Sequence, residues 1–421
     1  MLLSLKINNC LIYNSEVEFS MRANMHYKRF PCNVVQQDGV NTLKTAVLIG
    51  PNNSGKTNFV RILATLKALM LGKEKRLSRN LFSENPIVGI TLSFLAGGKE
   101  NLFEIRYDTS QSEYVFERFG WILRDSYNNI KIKNLFIRDN KNKKYFSEDP
   151  GLDTIMKATA RNNILIYLVD TEGFPILKQI KETMISFASR LDIVDMNNIP
   201  IKKTIDMLKA SEEEHRKIAN FVLNADLYLD DYRYLRDDEI KIVLQESRAG
   251  EENLQENALR QAAPLTEMLH LASVYKGVVV PSVLFDSTGT KKMAALASYV
   301  IDALENGRIL IIDELDNSLH FRLTRAILAL FNNEMNQNAQ LIATVHDVSL
   351  LDCQKLFRKE QIWFTHKDRQ DAYLYSLADF TNEKTGIRDT SDIIEKYKKG
   401  MFGALPEPDL FSSLLEVKTN G

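Results

Sequence analysis

"GPNNSGKT", Gly50 to Thr57, is the stretch that decides how this chain is read. It fits the pattern G-x-x-x-x-G-K-[ST], a loop that cradles phosphate. The residue types suit that task. Gly50 and Gly55 let successive backbone amides turn inward around an anion. A helix starting at the end of the loop aims its positive dipole at the same point. Lys56 supplies a point charge for the β- and γ-phosphates, and Thr57 supplies a hydroxyl for Mg²⁺. Asn52, Asn53, Ser54 and Asn58 lie in or directly beside the loop and join the candidate nucleotide-binding set. The flanks suit it. "TAVLIG" is a short apolar run. Beyond Thr57, Phe59, Ile62, Leu63, Leu66, Leu69 and Met70 recur at helical spacing. Strand, loop and helix together predict ATP as ligand, with Mg²⁺.

A second apolar run ends in acids. "ILIIDELDNSLH", Ile309 to His320, brings Asp313 and Glu314 to the C-terminal end of a strand. Parallel sheets bind ligands at that edge. Asp313 is suited to hold Mg²⁺ through water. Glu314 is suited to orient and polarise the water that attacks the γ-phosphate. An Asp-Glu pair there also serves as a helix N-cap, and the phosphate loop upstream favours the chemical reading. "LIATVHD" ends a third apolar run at His346, whose imidazole is either incidental or a sensor of the γ-phosphate. "DSTGTKK", Asp286 to Lys292, opens the helical stripe Met293, Leu296, Ala297, Val300, Ile301 and Leu304. Its hydroxyls make a plain N-cap. Hydroxyl, glycine amide and helix dipole also make an anion site, and the two readings use the same amides.

The fold class expected is α/β, a mostly parallel sheet flanked by helices with an antiparallel β subdomain and a helical insertion. Residues 1–20 alternate as a strand pair. Residues 86–148 are β-rich, with turns at Gly97-Gly98 and Asp139-Asn140. Residues 151–230 take helical spacing, strands resume at "YRYL" and "EIKIVLQE", and 248–258 is a polar linker. The chain divides into three segments: 1–150 with the phosphate loop, 151–260 as the insertion, and 261–421 with the remaining motifs. The chain has 421 residues, is 44% hydrophobic and carries a formal net charge of −1, so bulk charge points neither to nucleic acid nor to a membrane surface. Its three cysteines form no CxxC pair, which fits a reducing cytosol. No signal-peptide core is visible, and no apolar run reaches the roughly 18 residues a membrane span needs. A cytoplasmic location is expected.

The order phosphate loop, S-x-G-T element, acidic pair, Asp316 and His346 resembles ABC-type ATPases of the SMC/RecF/OLD branch. That resemblance implies an ABC-type ATPase head and an ATP-sandwiched homodimer. Ser287, Gly289 and Thr290 would act on the nucleotide of the partner copy, Asp316 would occupy the D-loop position and His346 the switch position. "FVLNADLYLDDYRY", "DSTGTKK", "DELDNSLH", "NAQLIATVHDVSLLD", "KEQIWFTHKD", "LYSLADF" and "EKYKKGMFGALP" occur in an order that looks like the RloA/AbiLi-like abortive-infection ATPases. By that likeness the chain works in phage defence with a separately encoded Toprim- or nuclease-like effector. A RecF/SMC-like DNA repair ATPase, with DNA as partner, is the alternative. Cys10 and Leu11 stand where members of the group often carry an aromatic–basic pair.

Overall fold

The computed structural model describes residues 1–124, 129–225, 228–247, 267–368, 371–381, 387 and 391–405. The chain forms two units, Met1–Ser189 with Ala343–Gly421, and Arg190–Ile342.

The first unit begins with β1 (Leu2–Asn8) antiparallel to β2 (Val17–Ser20), the pair the alternating N-terminus predicts. A small hairpin comes next, β3 (Val34–Gln37) with β4 (Val40–Leu43). β5 (Thr45–Ile49) is buried throughout, and α1 (Lys56–Met70) starts within the phosphate loop. The predicted apolar stripe of α1 is buried from Phe59 to Met70. β6 (Ile87–Ala96), β7 (Lys99–Asp108), β8 (Glu113–Arg124), β9 (Ile130–Asp139) and β10 (Lys144–Ser147) extend the β1–β2 pair into a seven-stranded antiparallel sheet. Gly97 and Gly98, at φ 59° and 68°, make the expected β6–β7 turn in a region glycine adopts readily. Beyond the sheet lie α2 (Leu152–Ala158) and α3 (Pro175–Ser189), with Phe187 of α3 packed on Phe94 of β6 at 4.3 Å between ring centroids.

One charged pair sits inside this sheet. Glu117 on β8 and Arg138 on β9 face each other across the strands at 2.8 Å, 1% and 0% exposed. The second Glu117 oxygen accepts from the Leu165 amide at 2.8 Å, and Arg138 donates to the carbonyls of Thr159 and Ala160. Burial pushes the Glu117 carboxyl up, against the pull of Arg138. The pair therefore ties the sheet to the chain beyond α2.

In the second unit β11 (Leu191–Asp195) leads to α4 (Lys202–Ala210), α5 (Glu212–Leu223), β12 (Asp231–Tyr234) and α6 (Asp237–Ser247). β13 (Leu271–Tyr275), β14 (Val278–Pro281), the single turn α7 (Ser282–Phe285), α8 (Thr288–Asn306), β15 (Ile309–Asp313) and α9 (Phe321–Asn332) complete it. β11 and β15 run parallel, with Leu191 opposite Ile309 and Asp195 opposite Asp313. Ile205, Leu208, Ile218, Val222, Tyr232, Leu271, Ala294 and Ala297 form its core cluster.

β16 (Gln340–Val345), fully buried, carries the chain from the second unit into the first. There β17 (Ile362–Lys367) lies parallel to β5, and β18 (Ala372–Ser376) antiparallel to β17. The last described helix is α10 (Ile393–Lys398).

The α/β class holds. Two local expectations do not. "EIKIVLQE" was expected as a strand and is helical within α6. Asp237, Asp238 and Glu239 fill its first turn, where carboxylates favour the positive end of the dipole. Glu239 also accepts from the Arg236 amide at 2.8 Å, and Ile240 and Val243, three apart, pack with Leu235 and Ala272. β11 was absorbed into the expected helical stretch. The span 151–260, expected as one insertion, has residues in both units. The expected linker 248–258 lies outside the described residues.

Candidate functional site

The phosphate loop is built in the first unit. Gly55 caps α1 with φ 113°, and Asn53 has φ 62°. These left-handed residues curl the chain back over the end of α1. Gly50 has no room for a side chain: a Cβ there would lie 2.1 Å from the Thr365 carbonyl oxygen. Lys56 is buried, and its Nζ donates to the carbonyls of Gly50 at 2.7 Å and Pro51 at 3.0 Å. The ammonium is thus folded over the mouth of the loop. Tyr13 donates its hydroxyl to the Gly55 carbonyl at 3.1 Å. Burial pushes the Tyr13 phenol up, so it stays a neutral donor. Asn52 and Asn53 are exposed, and Thr57 and Asn58 are half-buried beside the buried Ser54. A turn that admits only glycine at Gly50 and holds a lysine over a helix N-terminus fits the phosphates of a nucleotide.

His346 directly succeeds β16 and is exposed.

The acidic residues and the Ser287–Thr290 element belong to the second unit. Asp313 ends β15, buried at 7% exposure, and its carbonyl accepts from the Met196 amide at 3.1 Å. Glu314 comes next at φ 58°, a left-handed conformation that costs a non-glycine residue about 1–3 kcal/mol. Such strain gathers at functional sites, and here amide groups hold it in place. Glu314 Oε2 accepts from Asn197 Nδ2 at 3.0 Å and Asn317 Nδ2 at 3.1 Å, while the Asn317 amide donates to the Glu314 carbonyl at 2.8 Å. Asn197 is in turn fixed by Asp195, at the end of β11.

Ser287 is the N-cap of α8, its Oγ accepting from the Thr290 amide at 3.1 Å. The plain cap is therefore formed, and Ser287 remains exposed. Asp286, just before it, is buried and accepts from Ser273 Oγ at 2.5 Å, Ser282 Oγ at 2.6 Å and Tyr275 Oη at 2.7 Å. Burial and then the bond to Asp286 push the Tyr275 phenol up to about 12. Gly289 approaches the turn after the acidic pair so closely that a Cβ would lie 2.9 Å from the Ser318 carbonyl oxygen. Lys292 Nζ donates to the Asn317 carbonyl and Ser318 Oγ at 3.3 and 3.2 Å. The Ser287–Thr290 element and the turn holding the half-buried Asp316 thus form one surface of this unit.

Residues 190–352 match the family model described as "AAA domain, putative AbiEii toxin, Type IV TA system". The match covers the Ser287–Thr290 element, Asp313, Glu314, Asp316 and His346, and it stops short of the phosphate loop. No curated protein matches the chain. Among solved structures, the SMC head bound to the C-winged helix domain of ScpA is similar at 14% identity and TM-score 0.45, over 91% of this chain and 99% of that one. The SMC head domain from Thermotoga maritima is similar at 12% identity and TM-score 0.43, over 89% and 98%. Both likenesses are loose.

Sequence reasoning missed Tyr13, Thr365, Asn197 and Asn317. For Thr365 the available signal was position: it falls near the C-terminal end of an apolar run, as Asp313 and His346 do. Trp363, two residues earlier on the strand, is a packing residue, 4.9 Å from the Phe19 ring and 6% exposed. Phe402 stacks on Phe364 at 4.8 Å.

Proposed function

We propose that the chain is an ABC-type ATPase that binds and hydrolyses ATP, and that two copies close head to tail around the nucleotide. The observation that carries this reading is the phosphate loop between β5 and α1, with Lys56 folded across its mouth. In this account Gly50 to Asn58 take the phosphates. Thr57 and Asp313 are the residues that would each serve Mg²⁺, and the ion would supply charge neutralisation to the phosphates. Glu314 orients the attacking water and accepts its proton, with the Asn197 and Asn317 amides fixing the carboxylate. His346 senses the γ-phosphate. Ser287, Gly289 and Thr290 serve the partner copy's nucleotide from the exposed start of α8, and Asp316 lies at the same interface.

The biological setting we infer is anti-phage abortive infection in the cytoplasm, with ATP turnover controlling a separately encoded Toprim- or nuclease-like effector. The match to an AAA domain described with a putative AbiEii toxin supports this setting over DNA repair. Among the described residues no helix is long and apolar enough to cross a membrane.

Binding and turnover measured in parallel test the assignment. Lys56→Ala should lose both. Glu314→Gln should keep binding and lose turnover by ~100-fold or more. Parent-level hydrolysis by Glu314→Gln would remove Glu314 from the water-orienting role. Salt-sensitive stimulation of turnover by DNA would move the chain to the repair class.

A further inference from the structure

We infer that Thr365 is a positioning residue for the phosphate loop, acting through Ser54. The inference rests on nucleotide binding at that loop and adds a residue that the loop motif does not contain. β17 runs parallel to β5, with Ile362 opposite Val47, Trp363 opposite Leu48 and Phe364 opposite Ile49. That register brings Thr365 level with Gly50, where the chain leaves β5 and enters the loop. Thr365 is fully buried. Its Oγ1 lies 2.6 Å from Ser54 Oγ, itself 2% exposed. It also donates to the Ile49 carbonyl at 3.4 Å. One proton arrangement satisfies all three groups: Ser54 donates to Thr365, and Thr365 donates to Ile49.

Ser54 sits between the two left-handed residues of the turn, Asn53 and Gly55. Its hydroxyl is directed at β17, so its side chain is an anchor. The same threonine explains Gly50. A Cβ at Gly50 would meet the Thr365 carbonyl oxygen at 2.1 Å and Oγ1 at 2.4 Å, so loop and strand are already in contact there. β17 is held independently of the loop. Gln361 donates to the Thr45 carbonyl at 3.1 Å and to Thr45 Oγ1 at 2.6 Å, while Trp363 and Phe364 pack into aromatic neighbours. A rigid strand thus presents a hydroxyl to the loop's midpoint and fixes the direction of the amides beyond it. Thr365 touches no phosphate in this account.

The test uses the full-length chain and a fluorescent ATP analogue, with ADP as competitor. Thr365→Val keeps the shape and removes the hydroxyl. It should weaken both nucleotides by about threefold to tenfold, the scale of one lost hydrogen bond. Thr365→Ser should restore parent affinity. Ser54→Ala should weaken binding to a similar degree, and Ser54→Ala with Thr365→Val should be no worse than the weaker single variant, because both remove one interaction. A purely structural threonine would lower the unfolding temperature of the nucleotide-free chain and leave the affinity of the folded chain at the parent value, whereas the positioning role lowers affinity at temperatures well below unfolding. Parent affinity in Thr365→Val, or strictly additive losses in the double variant, overturns the inference and leaves nucleotide binding standing. Failure of the parent chain to bind ATP or ADP overturns both.

Discussion

Replacing Gly50 with alanine puts a methyl group where the structure has none to spare. The new Cβ would lie 2.1 Å from the Thr365 carbonyl oxygen, 2.4 Å from Thr365 Oγ1 and 2.9 Å from Ser54 Oγ. Carbon and oxygen settle at about 3.3–3.6 Å, so something must move by roughly 1 Å. The nearest obstacle is the backbone of β17, which a rotamer change cannot clear. β17 is pinned by Gln361 and by Trp363 on Phe19, so the loop is the part that gives way. Overpacking of this kind costs about 1–3 kcal/mol. If that cost falls on the nucleotide-binding geometry, affinity drops by about 5-fold to 140-fold. Titration with a fluorescent ATP analogue measures the loss. Gly173→Ala is the control, because nothing lies within 4 Å of its Cβ position. Parent-level affinity in Gly50→Ala would refute the idea that the Gly50–Thr365 contact shapes the loop.

Other perturbations test other parts of the account. Arg138→Met leaves the Glu117 carboxylate buried without its counter-charge and should cost about 3–5 kcal/mol in chemical denaturation; Glu117→Leu in the same chain should recover much of it. In the second unit, burial alone would raise the Asp192 carboxyl, but hydrogen bonds from Arg308 and Lys203 outweigh it and hold the group below the ordinary aspartate value. A depressed carboxyl stabilises the fold above its unfolded pKa, and that contribution is lost as pH falls through the lower folded value. Acid titration of stability should therefore be shallower in Asp192→Asn than in the parent. Ser287→Arg should leave single-protomer ATP binding intact and abolish turnover and nucleotide-dependent pairing; loss of binding by the single protomer would make Ser287 a structural cap alone.

The sequence reveals the candidate site residues of each unit unevenly, for physical reasons. The phosphate loop is legible because its chemistry is local: one short segment carries glycines, lysine and hydroxyl, and the apolar stripe of α1 marks the helix behind it. Asp313 and Glu314 are legible for the same reason, at the end of an unbroken apolar run. Thr365 is not, because its role depends on β17 pairing with β5 across a long stretch of chain, a register no local pattern encodes. Asn197 depends likewise on β11 lying beside β15. β11 itself is only five residues, Leu191–Asp195, directly after a long helix, and periodicity cannot separate so short a run from a helical continuation. In α6 the alternation of "EIKIV" suits a strand, and the acids of the first turn decide for a helix.

The central claim is that this chain holds ATP in a site that a second copy completes. Mass measurement by analytical ultracentrifugation of Glu314→Gln, with Mg²⁺ and either ATP or ADP, tests it most directly. The account predicts a species of twice the chain mass with ATP, reversed with ADP and absent when Lys56→Ala is added. An ATP-saturated Glu314→Gln that sediments as a single chain would contradict it.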